Sequence, residues 1–236
     1  MRTIPWSSAA AGFATRVFGG SCYLCRGESR DVLCPPCSGD LPRLSRERCP
    51  RCALPTPGAG ACGRCRSAPP AFDATVVAFA YAFPADVLVQ GLKFRGELAL
   101  APLLANALHA ELLRSGPADA DLIIPVPLHA LRLRERGYNQ SMEIARGLGD
   151  RLGLPVVSSL CERVRDTPAQ LGLPWKERRE NVRGAFSCTS ALDGKRVAVV
   201  DDVMTTGATL GEVASVLKQF GATRVVNWVV ARALAD

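Results

Sequence analysis

The run Val197-Ala198-Val199-Val200-Asp201-Asp202-Val203-Met204-Thr205-Thr206-Gly207-Ala208-Thr209 decides how this chain is read. Four consecutive apolar residues predict a buried strand, Arg196 to Val200, that delivers two carboxylates at its carboxyl end. A short Thr/Gly loop then opens a helix from about Leu210 to Phe220. Val213, Val216, Leu217 and Phe220 fall at helical spacing, and Gly221 ends the helix. Thr209-x-x-Glu212 fits a capping box. Backbone N–H groups in such a loop, with a helix dipole behind them, suit a phosphate dianion, and threonine hydroxyls add donors. Two adjacent carboxylates would repel that phosphate unless they accept hydrogen bonds from vicinal sugar hydroxyls close to a cation. The ligand implied is a phosphorylated ribose.

Outward from this run the pattern repeats. Ala74–Phe83 reads as a strand, Glu97–Leu113 as a helix with Leu104, Leu108 and Leu112 along one face, and Leu122–Val126 as a short buried strand. Asn139–Leu152 reads as a helix ended by Gly153 and Pro155, and Arg224–Ala231 as a final strand. Strands alternating with helices predict an α/β domain with a mostly parallel sheet and ligands at the carboxyl ends of its strands. A second candidate element lies at Pro125-Val126-Pro127-Leu128-His129, a proline-rich turn after a strand. Arg132, Arg134, Arg136 and Gly137-Tyr138-Asn139-Gln140 follow it.

The N-terminal part obeys a different chemistry. Eight of the ten cysteines form the pattern Cys22-x2-Cys25-x8-Cys34-x2-Cys37, then Cys49-x2-Cys52-x9-Cys62-x2-Cys65. Residues 21–70 hold only seven large apolar side chains, and nine of the 17 prolines lie in the first 70 residues, so this part needs a staple. Zn²⁺ takes four thiolates in a tetrahedron, and the repeat predicts sequential pairing: Cys22, Cys25, Cys34 and Cys37 on one ion, Cys49, Cys52, Cys62 and Cys65 on a second. Four-thiolate zinc has no open position, so its role is structural. Iron–sulfur clusters or redox disulfides are the alternatives. Cys161 and Cys188 read as core residues. The expected organisation is an extension over residues 1–20, a double zinc ribbon over 21–67 and an α/β domain over 71–236. Stripping the metal is expected to unfold the ribbons and spare the rest.

Composition excludes several classes. The 236 residues are 48% hydrophobic and 22% charged, which rules out a mainly disordered or collagen-like chain. The longest apolar stretch, Phe72 to Val89, is broken by Asp73, Pro84 and Asp86, short of the ~18 uninterrupted residues of a membrane helix. Met1 to Gly20 lacks the apolar run of a signal peptide, so a soluble cytoplasmic protein without membrane insertion is expected. The net charge of +7 is concentrated in residues 1–70, with ten Lys+Arg against four Asp+Glu. Eight thiolates less two divalent cations would remove four of those charges, leaving about +2 and a weak electrostatic case for nucleic acid on the ribbons.

The thirteen-residue run closely resembles the 5-phosphoribosyl-1-pyrophosphate (PRPP) motif of type I phosphoribosyltransferases. The resemblance implies that Asp201 and Asp202 face ribose hydroxyls and that Thr205, Thr206, Gly207, Ala208 and Thr209 cradle the 5-phosphate. It further implies that the turn Pro125, Val126, Pro127 and Leu128 binds pyrophosphate through backbone amides, with Mg²⁺ accompanying PRPP. Arg136 would grip pyrophosphate oxygens at two points. The whole arrangement resembles the ComF family, a double zinc ribbon followed by a phosphoribosyltransferase domain. Leu92-Lys93-Phe94-Arg95-Gly96, Arg163-x-Arg165-x-Thr167-x-x-Gln170 and Arg178-Arg179-x-Asn181-Val182-x-Gly184-Ala185-Phe186 also match it. Ala208 departs from the glycine of many relatives, which matters only if that position needs positive φ. The resemblance implies a PRPP-binding protein that assists DNA uptake or utilisation, with single-stranded DNA and other uptake proteins as partners and a homodimer as a compatible state. The alternative is a catalytic transferase, with Asp201, Asp202 and Arg136 as its catalytic residues, acting on a nucleobase or related nitrogen acceptor. A single-strand surface would fall on Arg163, Arg165, Lys176, Arg178, Arg179 and Arg183 around Trp175, although a hood over the ligand is the plainer use of that segment.

Overall fold

The computed structural model describes residues 20–116, 119–165 and 180–234. The chain forms two compact units parted between Leu41 and Pro42. The first holds a two-residue antiparallel pair, β1 (Gly20–Ser21) with β2 (Glu28–Ser29), and a one-turn helix α1 (Pro35–Gly39).

The second unit begins with a 3-10 turn (Pro57–Ala59) and α2 (Gly63–Ser67), then builds a parallel sheet. Its elements are β3 (Ala74–Ala80), α3 (Ala85–Phe94), α4 (Leu100–Ser115), β4 (Leu122–Pro125), α5 (Ala130–Arg136) and α6 (Gln140–Leu152). A small antiparallel hairpin follows, β5 (Cys161–Arg163) with β6 (Phe186–Cys188), then β7 (Arg196–Met204), α7 (Ala208–Gln219) and β8 (Arg224–Arg232). The sheet runs β3-β8-β7-β4, every pair parallel. Strand alternation sorts the core into two layers. Leu122, Ile124, Val197, Val199, Val225 and Val229 join Val213 and Leu217 of α7 in one cluster. Ile123, Ala198, Val200, Trp228 and Val230, equally buried, fall on the other face. There α4 and α6 pack on each other and against the strands. The architecture is therefore the expected parallel α/β sheet with flanking helices, and no described helix is long and apolar enough to cross a membrane.

The β3 edge is capped by the segment that precedes it. Ala80 and Thr75 donate their N–H groups to the carbonyls of Pro42 (2.7 Å) and Pro50 (3.1 Å), and the Thr75 hydroxyl donates to Arg51 O at 2.5 Å. An edge strand needs such cover to avoid pairing with another chain. Cys49, Cys52, Ala53 and Cys65 share the hydrophobic cluster of Phe72, Val77 and Val229. The compact units thus divide between the two cysteine repeats.

Two sequence expectations change. The strand predicted to stop at Val200 continues to Met204, because Asp201, Val203 and Met204 stay in register with Val229, Ala231 and Arg232 of β8. The capping box at Thr209 does not form. Gly207 is the N-cap, Thr206 Oγ1 accepts from Ala208 N–H (3.2 Å), and Glu212 instead accepts from Gly184 N–H (2.7 Å).

Candidate functional site

The carboxyl ends of β4 and β7 open on a cavity of about 540 Å³. Its wall contains Val126, Pro127 and Leu128 after β4, Asp201 to Met204 from β7, and Thr205, Gly207, Ala208 and Thr209 from the following turn. Lys93, Arg132, Arg136 and Arg163 supply its cations, and Tyr81, Gln90, Phe94, Gln140 and Ser141 complete much of the rest. Of the residues that the resemblance assigns to the ligand, Pro125 and Thr206 stand outside the lining. Pro125 ends β4, buried, and the Thr206 hydroxyl accepts from the N–H of Ala208 at the start of α7.

The acidic pair is buried because it lies within the ladder. Asp201 is 8% exposed and Asp202 3%. Asp201 Oδ1 accepts from Ser141 Oγ (3.1 Å) and from the N–H of Asp202 (2.9 Å), while Asp202 Oδ1 accepts from Val203 N–H (2.8 Å). Burial, and then the charge of Asp202, pushes the Asp201 carboxyl up to about 7, with Lys93 and these hydrogen bonds opposing. Lys93 Nζ stands 3.2 Å from Asp202 Oδ2, and that carboxylate holds the Lys93 ammonium above the ordinary lysine range against its own desolvation. The contact is an ion pair without a well-directed hydrogen bond, since Asp202 Oδ2 has no hydrogen-bond partner. Lys93 is the cavity side chain that residue-level chemistry missed. A lysine at the end of a helix carries no signature of its own, and only its place in Leu92–Gly96 marked it.

Each residue from Arg136 to Gln140 has a local task. Arg136 Nη1 donates to Gln140 Oε1 (2.5 Å) and its guanidinium lies 5.6 Å from the Phe94 ring centre. Gly137 ends α5 at φ +81°, Tyr138 donates its hydroxyl proton to Leu92 O, and Asn139 caps α6. The Asn139 Oδ1 accepts from Ser141 N–H (2.9 Å), and its Nδ2 donates to Val126 O (3.0 Å). The cap thereby ties the turn after β4 to the helix that holds Asp201. Gly207 is the other constrained position. It has φ +81°, and a Cβ there would meet Met204 Cε at 2.6 Å. Ala208 is already helical, so its departure from glycine costs nothing. Lys176, Arg178, Arg179, Trp175, Thr167 and Gln170 lie outside the described residues. Arg165 and Arg183 are exposed, and among the described residues of that group only Arg163 lines the cavity.

The cysteines meet as two groups of four, Cys22, Cys25, Cys34, Cys37 and Cys49, Cys52, Cys62, Cys65, with ligand atoms within 4.8 Å of one another in each. A tetrahedron with sulfur about 2.3 Å from zinc has edges of about 3.8 Å. Cys25–Cys34 and Cys52–Cys62 sulfurs stand 3.7 and 3.6 Å apart, so the donor sets fit the ion. The repeat extends to the backbone. Arg26 and Ala53 both take positive φ and return their N–H groups to Cys22 O and Cys49 O, each at 2.9 Å. Backbone N–H groups of Cys25 and Cys34 draw the Cys22 thiol down to about 6. Cys49 falls to about 7, where N–H groups of Cys52 and Cys62 outweigh burial. Cys161 and Cys188 face each other across β5 and β6, both buried, and burial pushes Cys161 up to about 12, which leaves it unreactive.

Residues 98–236 match the family model of the phosphoribosyl transferase domain, and residues 13–66 that of the double zinc ribbon domain. Competence protein F of Haemophilus influenzae is 33% identical over 92% of this chain and 98% of its own length. The chain belongs to the competence protein F family. Another relative of comparable likeness is the DNA utilization protein YhgH of Salmonella typhimurium, 35% identical over 91% of this chain and 98% of its own. Among solved structures, a purine phosphoribosyltransferase from Pyrococcus horikoshii aligns with 21% identity and a TM-score of 0.33, covering 52% of this chain and 67% of that one. As in its family, the chain joins a double zinc ribbon, whose two four-cysteine centres take structural zinc, to a phosphoribosyltransferase domain.

Proposed function

We propose that the cavity binds PRPP and that this binding serves DNA uptake or utilisation. One observation carries the reading. A buried carboxylate pair, a glycine turn opening a helix and a cation-bearing turn converge on one cavity of suitable size. Asp201 and Asp202 would accept from the ribose hydroxyls. The turn from Thr205 to Thr209 would hold the 5-phosphate on backbone N–H groups. Val126 to Leu128 and Arg136 would take the pyrophosphate, with Lys93 adding a charge beside it. Mg²⁺, when bound with the ligand, would offset the pyrophosphate charge near the acidic pair. The DNA role rests on what the relatives' names say of them, competence and DNA utilization, and contact with single strands and cytoplasmic residence belong to the same proposal.

The second reading is transfer of the ribose to a nitrogen acceptor. It draws on Lys93 and Arg136, two cations that share the cavity with the carboxylates and could stabilise a departing pyrophosphate. Titration with Mg²⁺–PRPP is expected to raise the melting temperature of the parent chain and not that of the Asp201→Ala, Asp202→Ala double variant. No shift in the parent overturns both readings. Exchange of labelled pyrophosphate into PRPP across a panel of bases separates turnover from binding.

A further inference from the structure

We propose that Arg232 is a positioning residue that fastens the turn after β7 to the second four-cysteine centre, so that the metal in that centre governs the order of the turn. Arg232 ends β8 and is only 1% exposed. Its Nε donates to Cys52 O at 2.8 Å. Its Nη1 donates to Met204 O (2.9 Å), to Ala233 O (2.5 Å) and to Thr205 O. One planar fork thus holds the backbone of a metal-ligand residue and the backbone where the strand leaves the sheet. Arginine can do this because its donors diverge in a fixed plane, whereas a lysine ammonium is a single point.

The guanidinium is also unusual electrostatically. Among the described residues no carboxylate lies within ion-pair distance of it, although a buried charge ordinarily needs a counter-charge. Four thiolates around a divalent cation carry a net charge of −2, so the loaded centre is the counter-ion of Arg232. Without the metal, Arg232 keeps carbonyl partners but loses that charge, and Cys52 O loses the fixed position that the ligand bond imposes. The Met204 and Thr205 carbonyls are then held from one side only. The consequence for ligand affinity rests on the PRPP reading of the turn; the fastening does not.

Hydrogen exchange on the full-length chain, without ligand, tests the relay at the amides of Thr205 to Ala208. Cys62→Ser should lower the zinc content from two to one and speed exchange there by about tenfold or more, with the amides of Ile123 and Ile124 unchanged. Arg232→Lys should do the same with both zinc ions retained. Combining the two should be no worse than either alone, because both cut one link. Unchanged exchange in either single variant, or a double variant whose effect is the product of the two, overturns the proposal. Should Arg232→Lys fail to fold, chelation of the parent chain decides at the same amides. Faster exchange once the metal leaves supports the relay, and unchanged exchange refutes it. A failure of PRPP to bind leaves these ligand-free results intact, so the two proposals fail separately.

Discussion

Asp201 and Asp202 sit side by side in sequence, yet each is held by different partners. Asp201 takes two neutral donors, while Asp202 takes a backbone N–H and the Lys93 ammonium. Burial therefore dominates at Asp201, and its folded value of about 7 lies above the ordinary 3.8. The folded chain thus retains a proton that the unfolded chain has released. The stability this contributes is complete below the unfolded value and is lost as pH rises through the folded one. Between roughly pH 5.5 and 7.5 the ligand-free chain should lose up to about 1.4 kcal/mol per pH unit from this residue alone. Asp201→Asn keeps the shape without the charge, and thermal melts across that range should show a flatter slope and a higher melting temperature at pH 7.5. An unaltered slope would mean that Asp201 does not titrate there. The acidic pair itself was legible in the run at 197–209. Lys93 was not, because its partner lies 109 positions away and only the fold brings them together.

At the scale of elements, the turns around the cavity are held by caps. Asn139 accepts from Ser141 and Met142 at the start of α6 and donates to Val126 O, so one amide serves the helix and the turn. Asn139→Ala should cost about 1–2 kcal/mol in denaturant melts. It should also weaken the thermal response to Mg²⁺–PRPP, since the Val126 turn loses its tie. Asn139→Ser restores a cap acceptor but not the donor to Val126, so it should recover most of the stability and little of the ligand response. If both properties return together, the tie to Val126 has no part in binding. The boundary of α6 was readable because Asn139 and Gly153 are strong start and stop signals. Helix α3 was not, since Phe72 to Val89 is nearly continuous in apolar residues and hides the change from the strand to the helix period. The Thr209–Glu212 box failed for a related reason. Glu212 found the Gly184 amide, 28 residues away, and the Thr206 hydroxyl accepts from Ala208 N–H locally.

At the scale of the molecule, the two metal centres belong to different compact units. The first supports a segment with few apolar residues, so loss of its metal should unfold that segment and leave the α/β unit intact. The second shares a hydrophobic cluster with the sheet, and its flanking backbone covers the β3 edge. Its loss should lower the melting temperature of the α/β unit itself. Stepwise chelation followed by near-ultraviolet circular dichroism should therefore give two events, the later one accompanied by a drop in the main melting transition. A main transition that keeps its temperature after both ions leave would refute this coupling. The same unit carries the Arg48 ion pair to Glu111 of α4, a further tie between the cysteine segment and the helical layer.

By itself the amino-acid sequence determined the metal ligands, the alternation of strands and helices, and the turn at 205–209. Each of these is written in spacing between residues close along the chain, where local geometry and ligand chemistry act directly. Only the tertiary structure decided that Lys93 faces Asp202, that β7 runs on through the acidic pair, and that Arg232 reaches both Cys52 and Thr205. Those contacts depend on burial and strand register, which emerge when distant segments pack together and leave no periodic trace in any one of them.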